Sequence, residues 1–103
     1  MARRQSAPSG RGGDDPMMTK PPGPEIMLRR LTVDEALIRL DKFLNDMYLA
    51  GLDSVRIVHG KGTGTLRLAV RRELARHPLV ESFRQGDPWE GGEGVTVAYL
   101  SKK

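Results

Sequence analysis

Cysteine is absent from all 103 residues. No disulfide therefore braces the chain, and metal sites built on thiolates are excluded. No apolar run approaches the ~20 residues needed to span a bilayer. The N-terminus carries no secretory apolar core. These two absences point to a cytoplasmic protein without membrane partners. Internal repeats are missing, which removes solenoid and propeller architectures. So are His, Asp or Glu groupings at metal-ligand spacing, so no structural metal is inferred from the sequence.

What is present divides into two parts. Residues 1–25 are rich in Pro, Gly and Ser with scattered Arg and Asp, and hold few large apolar side chains. Such a stretch buries too little apolar surface to offset its ordering entropy, so it reads as a disordered tail or linker. Residues 26–103 form the folded unit, roughly 75 residues and close to the lower size limit for a core without staples. The net charge of +4 hints at an anionic partner, and where the charge lies matters more than its total.

Local signals place the elements. Ile26 to Arg29 is a short apolar stretch suited to an edge strand. Thr32 and Glu35 have the spacing of a capping box, and Val33, Ala36, Leu37, Leu40, Phe43, Leu44 and Met47 follow at helical period. Gly51 is placed to end that helix in the left-handed conformation. Ser54 to Val58 reads as a strand. A second helix is expected from Thr65 to His77, stopped by Pro78. Val80 to Arg84 and Val95 to Leu100 read as strands joined by a glycine-rich loop carrying Trp89. The order βαβαββ predicts an α/β fold of the α+β two-layer sandwich type. Two helices would cover one face of a four-stranded mixed sheet, burying both apolar stripes.

The chemistry concentrates between the second strand and second helix, in His59-Gly60-Lys61-Gly62-Thr63-Gly64. Glycines allow close approach of a ligand to the backbone, and the helix start offers unpaired N–H groups, so the run reads as a phosphate site. A Walker A loop needs Ser or Thr after the lysine, where Gly62 stands, and the GxGxG spacing does not match a dinucleotide fingerprint. A nucleic-acid phosphate remains. Lys61, flanked by glycines, is solvated or binds an anion; Arg67 can reach the same anion, and Arg71, Arg72 and Arg76 make the outer surface of the helix basic. His59 has two readings: it exchanges a proton or binds phosphate, or it hydrogen-bonds the turn and holds its shape. Trp89 could stack on an unpaired base or cover the sheet edge. His77 complements a helix C-terminus.

The ordered set resembles the Smr (small MutS-related) domain family, whose signature reads close to HGKGTGxLR. Leu31 to Leu52, His77-Pro78-Leu79-Val80 with Phe83-Arg84, and Glu90 to Val97 fall in family order, covering residues 26 to 100. The resemblance implies a fold similar to the C-terminal domain of bacterial initiation factor three. It implies DNA binding and nicking endonuclease activity on branched or non-duplex DNA, in recombination suppression or repair. It also implies fusion to, or excision from, a larger MutS-type ATPase, the family being found at the C-terminus of the bacterial MutS paralogue that suppresses recombination. It assigns His59, Arg29 and Lys61 to catalysis, and Gly60, Lys61, Gly62, Thr63, Gly64, Arg67 and Arg71 to nucleic-acid binding. Glu90 ranks second, as an acid near the turn.

One departure stands out. Catalytic members carry LDLR or LDLH on the first strand, and here Ile26-Met27-Leu28-Arg29 takes that place, followed by Arg30 where a glycine is usual. Methionine cannot activate water, orient a histidine or hold a metal. The alternative is therefore a non-catalytic module that binds a DNA junction, or RNA at the ribosome. Asp34 and Glu90 are the candidates to replace the missing carboxylate, and a divalent ion such as Mg stays open as a cofactor.

Overall fold

The computed structural model describes residues 24–102. Most of the segment read as a tail or linker lies outside the described residues, but Glu25 opens the first strand. The elements are β1 (Glu25–Met27), α1 (Val33–Leu49), β2 (Ser54–Val58), α2 (Thr65–Arg76), β3 (Val80–Gln85) and β4 (Val95–Leu100). The strands lie in the order β1-β2-β4-β3. β1 runs parallel to β2, while β4 is antiparallel to both β2 and β3. The expected two-layer arrangement is thus observed: two helices packed on a four-stranded mixed sheet.

Local chemistry sets the helix ends. Thr32 Oγ1 accepts from the Glu35 N–H and Glu35 Oε1 accepts from the Thr32 N–H, both at 3.1 Å, completing the capping box. At the other end Gly51 (φ +82°) lets Leu52 N–H reach Met47 O and Gly51 N–H reach Tyr48 O, a Schellman closure. α1 buries Ala36, Leu40 and Leu44; α2 buries Val70 and Leu74. These meet Leu28, Val55, Ile57, Ala98 and Leu100 in one apolar core.

Boundaries differ from the sequence reading at β1, which starts at Glu25 rather than Ile26, at α2, which ends at Arg76 rather than His77, and at β3, which runs on to Gln85. β1 ends at Met27 rather than Arg29, because Leu28 is fully buried in the core and the chain turns there, Leu31 N–H bonding back to Leu28 O. The glycine-rich connection contains two 3-10 turns, Pro88–Glu90 and Gly92–Gly94. On the face of the sheet away from the core, Arg56 pairs with Glu25, and the Arg84 guanidinium lies 5.9 Å from the centre of the Tyr99 ring. Among the described residues no helix is long and apolar enough to cross a membrane.

Candidate nucleic-acid interface

The glycine turn is tied down before it turns. The N–H groups of His59 and Gly60 both donate to Gly94 O at 3.0 Å, so the end of β2 is joined to the residue preceding β4. Gly60 (φ +81°) lies against Arg29: a side-chain carbon there would come within 3.2 Å of Arg29 Cγ. Gly64 (φ +88°) is the N-cap of α2 and offers no side-chain cap. A side-chain carbon at Gly64 would stand 3.3 Å from Arg67 Nη2. Both glycines therefore combine a left-handed backbone with a cation packed close on it. The first N–H groups of α2 lack intrahelical acceptors, which favours an anion beside them.

Two clefts flank the turn. The first, about 400 Å³, is bounded by Arg30, Thr32 and Val33 at the start of α1, by His59 to Gly64 of the turn, and by Thr65, Leu66 and Arg67 of α2. The second, about 460 Å³, opens on the sheet side between Arg29, Val58, Gly60, Lys61, Gly62, Gly91, Gly94 and Val95. Lys61 borders both. Arg29, Lys61 and Arg67 thus meet at one turn, as do Gly60, Gly62, Thr63 and Gly64. Arg71 borders neither cleft, its Nη2 lying 3.5 Å from Gln85 Oε1, although its charge acts on the His59 ring at the turn. Arg30, which sequence reasoning did not assign to the site, borders the first cleft in a left-handed conformation (φ +70°). For a non-glycine residue that is a local strain.

His59 is held inside. Only 4% of it is exposed. Its Nδ1 lies 2.9 Å from Gly60 O, an acceptor only, so Nδ1 carries the proton. Nε2 then accepts from the Thr96 hydroxyl at 2.9 Å. Burial is the main cause of a pKa below the ordinary 6.5, and the Arg71 and Arg67 charges push the same way against the Gly60 bond. A neutral, fully bonded imidazole at this point fixes the turn in place. Thr96, its partner across the sheet, carries no motif of its own and was not legible as a site residue.

The carboxylates are arranged differently from expectation. Glu90 is buried, its oxygens bonded by Arg84 Nη1 at 2.7 Å and Nη2 at 3.0 Å, with Asp87 N–H at 2.7 Å. The hydrogen bonds from Arg84 hold its pKa below the ordinary carboxylate value. It braces the connection before β4. Asp34, in the first turn of α1, borders neither cleft. The carboxylate beside the turn is Glu93, 3.5 Å from Arg67 Nη1 and largely exposed. Met27 is 54% exposed on β1.

Neither cleft is lined by an Asp or Glu, so protein oxygens that would hold Mg are not assembled there. Elsewhere Asp41, Glu73 and His77 bring ligand atoms within 4.8 Å of one another. The sequence hid this cluster because Asp41 comes from α1 and the others from the end of α2. There His77 Nδ1 accepts the Leu79 N–H at 3.2 Å, so Nε2 carries the proton and donates to Asp41 Oδ1 at 2.9 Å. That tautomer makes the cluster a lock between the two helices rather than a ligand set.

Comparison with known proteins agrees with this geometry. The Smr domain model matches residues 26–101. Endonuclease MutS2 of Thermomicrobium roseum is 60% identical over 77 residues, 75% of this chain and 10% of that protein. Endonuclease MutS2 of Symbiobacterium thermophilum is 50% identical over 109 aligned positions, 96% of this chain and 14% of that one. The chain thus spans only a small part of the length of these relatives. The crystal structure of the Smr domain of Thermus thermophilus MutS2 superposes with a TM-score of 0.73 at 51% identity, covering 75% of this chain and 96% of that one. YdaL, a stand-alone small MutS-related protein from Escherichia coli, gives 0.72 at 28% identity over 76% and 64% of the two chains. With the family model spanning both helices and all but the first residue of the sheet, the chain belongs to the Smr domain family.

Proposed function

We propose that this chain grips the phosphodiester backbone of branched or non-duplex DNA at the glycine turn and nicks it, as a module of a larger MutS-type protein acting in recombination suppression or repair. The observation that carries this reading is the convergence of Arg29, Arg30, Lys61 and Arg67 on a turn at the uncapped start of α2. Cations, bare peptide groups and a helix N-terminus are together suited to phosphate oxygens. Among the described residues the turn gathers cations and peptide groups rather than side-chain amides or carboxylates suited to base edges, so the main recognition would be of backbone and shape.

Hydrolysis would add water at phosphorus and break one P–O ester bond. Lys61 and Arg29 would neutralise the charge that gathers on the phosphoryl oxygens. His59 would contribute by holding the turn that aims them. Glu93, paired with Arg67 beside the turn, would take the proton of the attacking water, and the departing ester oxygen would leave as an alcohol with a proton from solvent. The relatives named Endonuclease MutS2 support this activity.

A second reading follows from Met27, which stands where catalytic relatives carry an aspartate: the chain binds without cutting. A nicking assay on supercoiled plasmid and on a branched junction, with and without divalent metal, separates the two. Wild type should nick both, and Glu93→Gln should lose at least tenfold in rate while keeping its affinity. Salt-sensitive binding without any nicking would establish the binder instead. Failure to bind DNA, with binding to structured RNA, would sink the DNA reading.

A further inference from the structure

Phosphate binding accounts for the cations at the turn but leaves the apolar half of the sheet-side cleft unexplained. Its floor is Val58 and Val95, register partners on β2 and β4. They lie on the side of the sheet away from the main apolar core, where a purely backbone-reading domain has no need of a recess. Its walls are the glycines Gly60, Gly62, Gly91 and Gly94, which present no side chain, and its rim carries Arg29 and Lys61. Gly91 (φ +114°) packs so closely that a side-chain carbon there would fall 2.4 Å from Val95 Cγ2. The wall and floor are thus one rigid piece. At about 460 Å³ the recess is within the range that seats small planar ligands.

A second feature lies on the same connection as Gly91. Trp89, the sole tryptophan, is 68% exposed two residues before Gly91. It is carried on a 3-10 turn fixed by Pro88 and by the Arg84–Glu90 ion pair. An indole held out in water on a braced turn keeps its π-face open to a ring of another molecule. Bases stack on such rings without regard to sequence.

Resting on the reading of the turn as a backbone site, we propose that the sheet-side cleft is a subsite for one unpaired nucleobase. The base lies on Val58 and Val95 beneath the glycine turn, its flanking phosphate is held by Arg29 and Lys61, and a neighbouring base stacks on Trp89. A paired base cannot enter without leaving its helix, at a cost of a few kcal/mol. The domain would therefore select branch points, gaps and flaps over continuous duplex by offering a seat to a base that is already free.

The test compares three oligonucleotides with the full chain: a duplex, the same duplex with a short single-stranded flap, and that flap made abasic. The expected result is about tenfold or tighter binding of the flap over both others, with Trp89 fluorescence quenched by the flap alone. Val58→Phe, which fills the recess, should bring flap affinity down to the duplex level. The fluorescence experiment needs no variant, so it holds even if Val58→Phe does not fold. Equal, salt-sensitive affinity for flap and abasic flap would overturn the base subsite while leaving the backbone site standing. No salt-sensitive binding of any of the three would overturn both.

Discussion

At His59 both ring nitrogens are engaged by the protein itself, Nδ1 by Gly60 O and Nε2 by the Thr96 hydroxyl. The motif made this histidine visible in the sequence. Its inward orientation was not, because Thr96 is 37 residues away in the chain and threonines within a strand are commonplace. Both bonds match the second of the two readings open at the sequence level, a histidine that hydrogen-bonds the turn. That geometry has a pH consequence. Burial lowers the pKa of His59 below 6.5 in the folded state. Between those two values the unfolded chain binds a proton that the folded chain does not, so stability is complete above about pH 6.5 and falls as the pH drops toward the folded value. His59→Gln removes this titration. The urea midpoint of wild type should therefore fall further between pH 7.5 and pH 5 than that of His59→Gln, while at pH 7.5 the variant should be less stable by about 1–3 kcal/mol from its disturbed buried hydrogen bonds. Parallel pH profiles for the two proteins would show that His59 is not a buried neutral group.

Among the elements, the ends of α1 were legible because each is settled within a few residues: Thr32 with Glu35 at the start, Gly51 at the close. β1 was placed two residues long at its C-terminal end because Leu28 and Arg29 continue an apolar-looking run, whereas Leu28, buried in the core, makes a last N–H bond to Val58 O and the chain then turns. The connection from β3 to β4 looked like a flexible loop, since glycine content speaks for mobility and says nothing of a distant brace. That brace is Arg84 on Glu90, with Tyr99 Oη accepting from Arg84 Nε at 2.9 Å. Glu90 is held ionised by the hydrogen bonds from Arg84, so its contribution to stability is present above the ordinary 4.5 and is lost as the pH falls through its lower folded value. Glu90→Gln should destabilise the fold by about 2 kcal/mol at neutral pH, a figure below that of a fully buried pair because Arg84 is partly exposed. Hydrogen exchange should speed up chiefly in residues 86–94. An unchanged urea midpoint with uniform exchange would mean the connection does not depend on this pair.

For the molecule as a whole, the fold followed from the order of the elements and from two apolar helix stripes that need one sheet face. The chemistry of the site was only half visible: the family motif brought Arg29 into it, but Arg30 comes from the first crossover and Glu93 from the last connection, and only packing brings them to Lys61 and Arg67. The net charge of +4 is small, and what distinguishes the surface is that these four cations share one turn. A duplex or junction lying there would release the counterions of about four phosphates, so the logarithm of the binding constant should fall with the logarithm of salt at a slope of about −3 to −4. Lys61→Ala should shallow that slope by about 1 and weaken all DNA forms alike, as befits a phosphate contact. Lys42→Ala, on the exposed side of α1 and paired with Asp46, should leave the slope unchanged. A slope near zero in wild type would point to contacts other than phosphate, because nothing but displaced counterions gives binding to DNA so steep a dependence on salt.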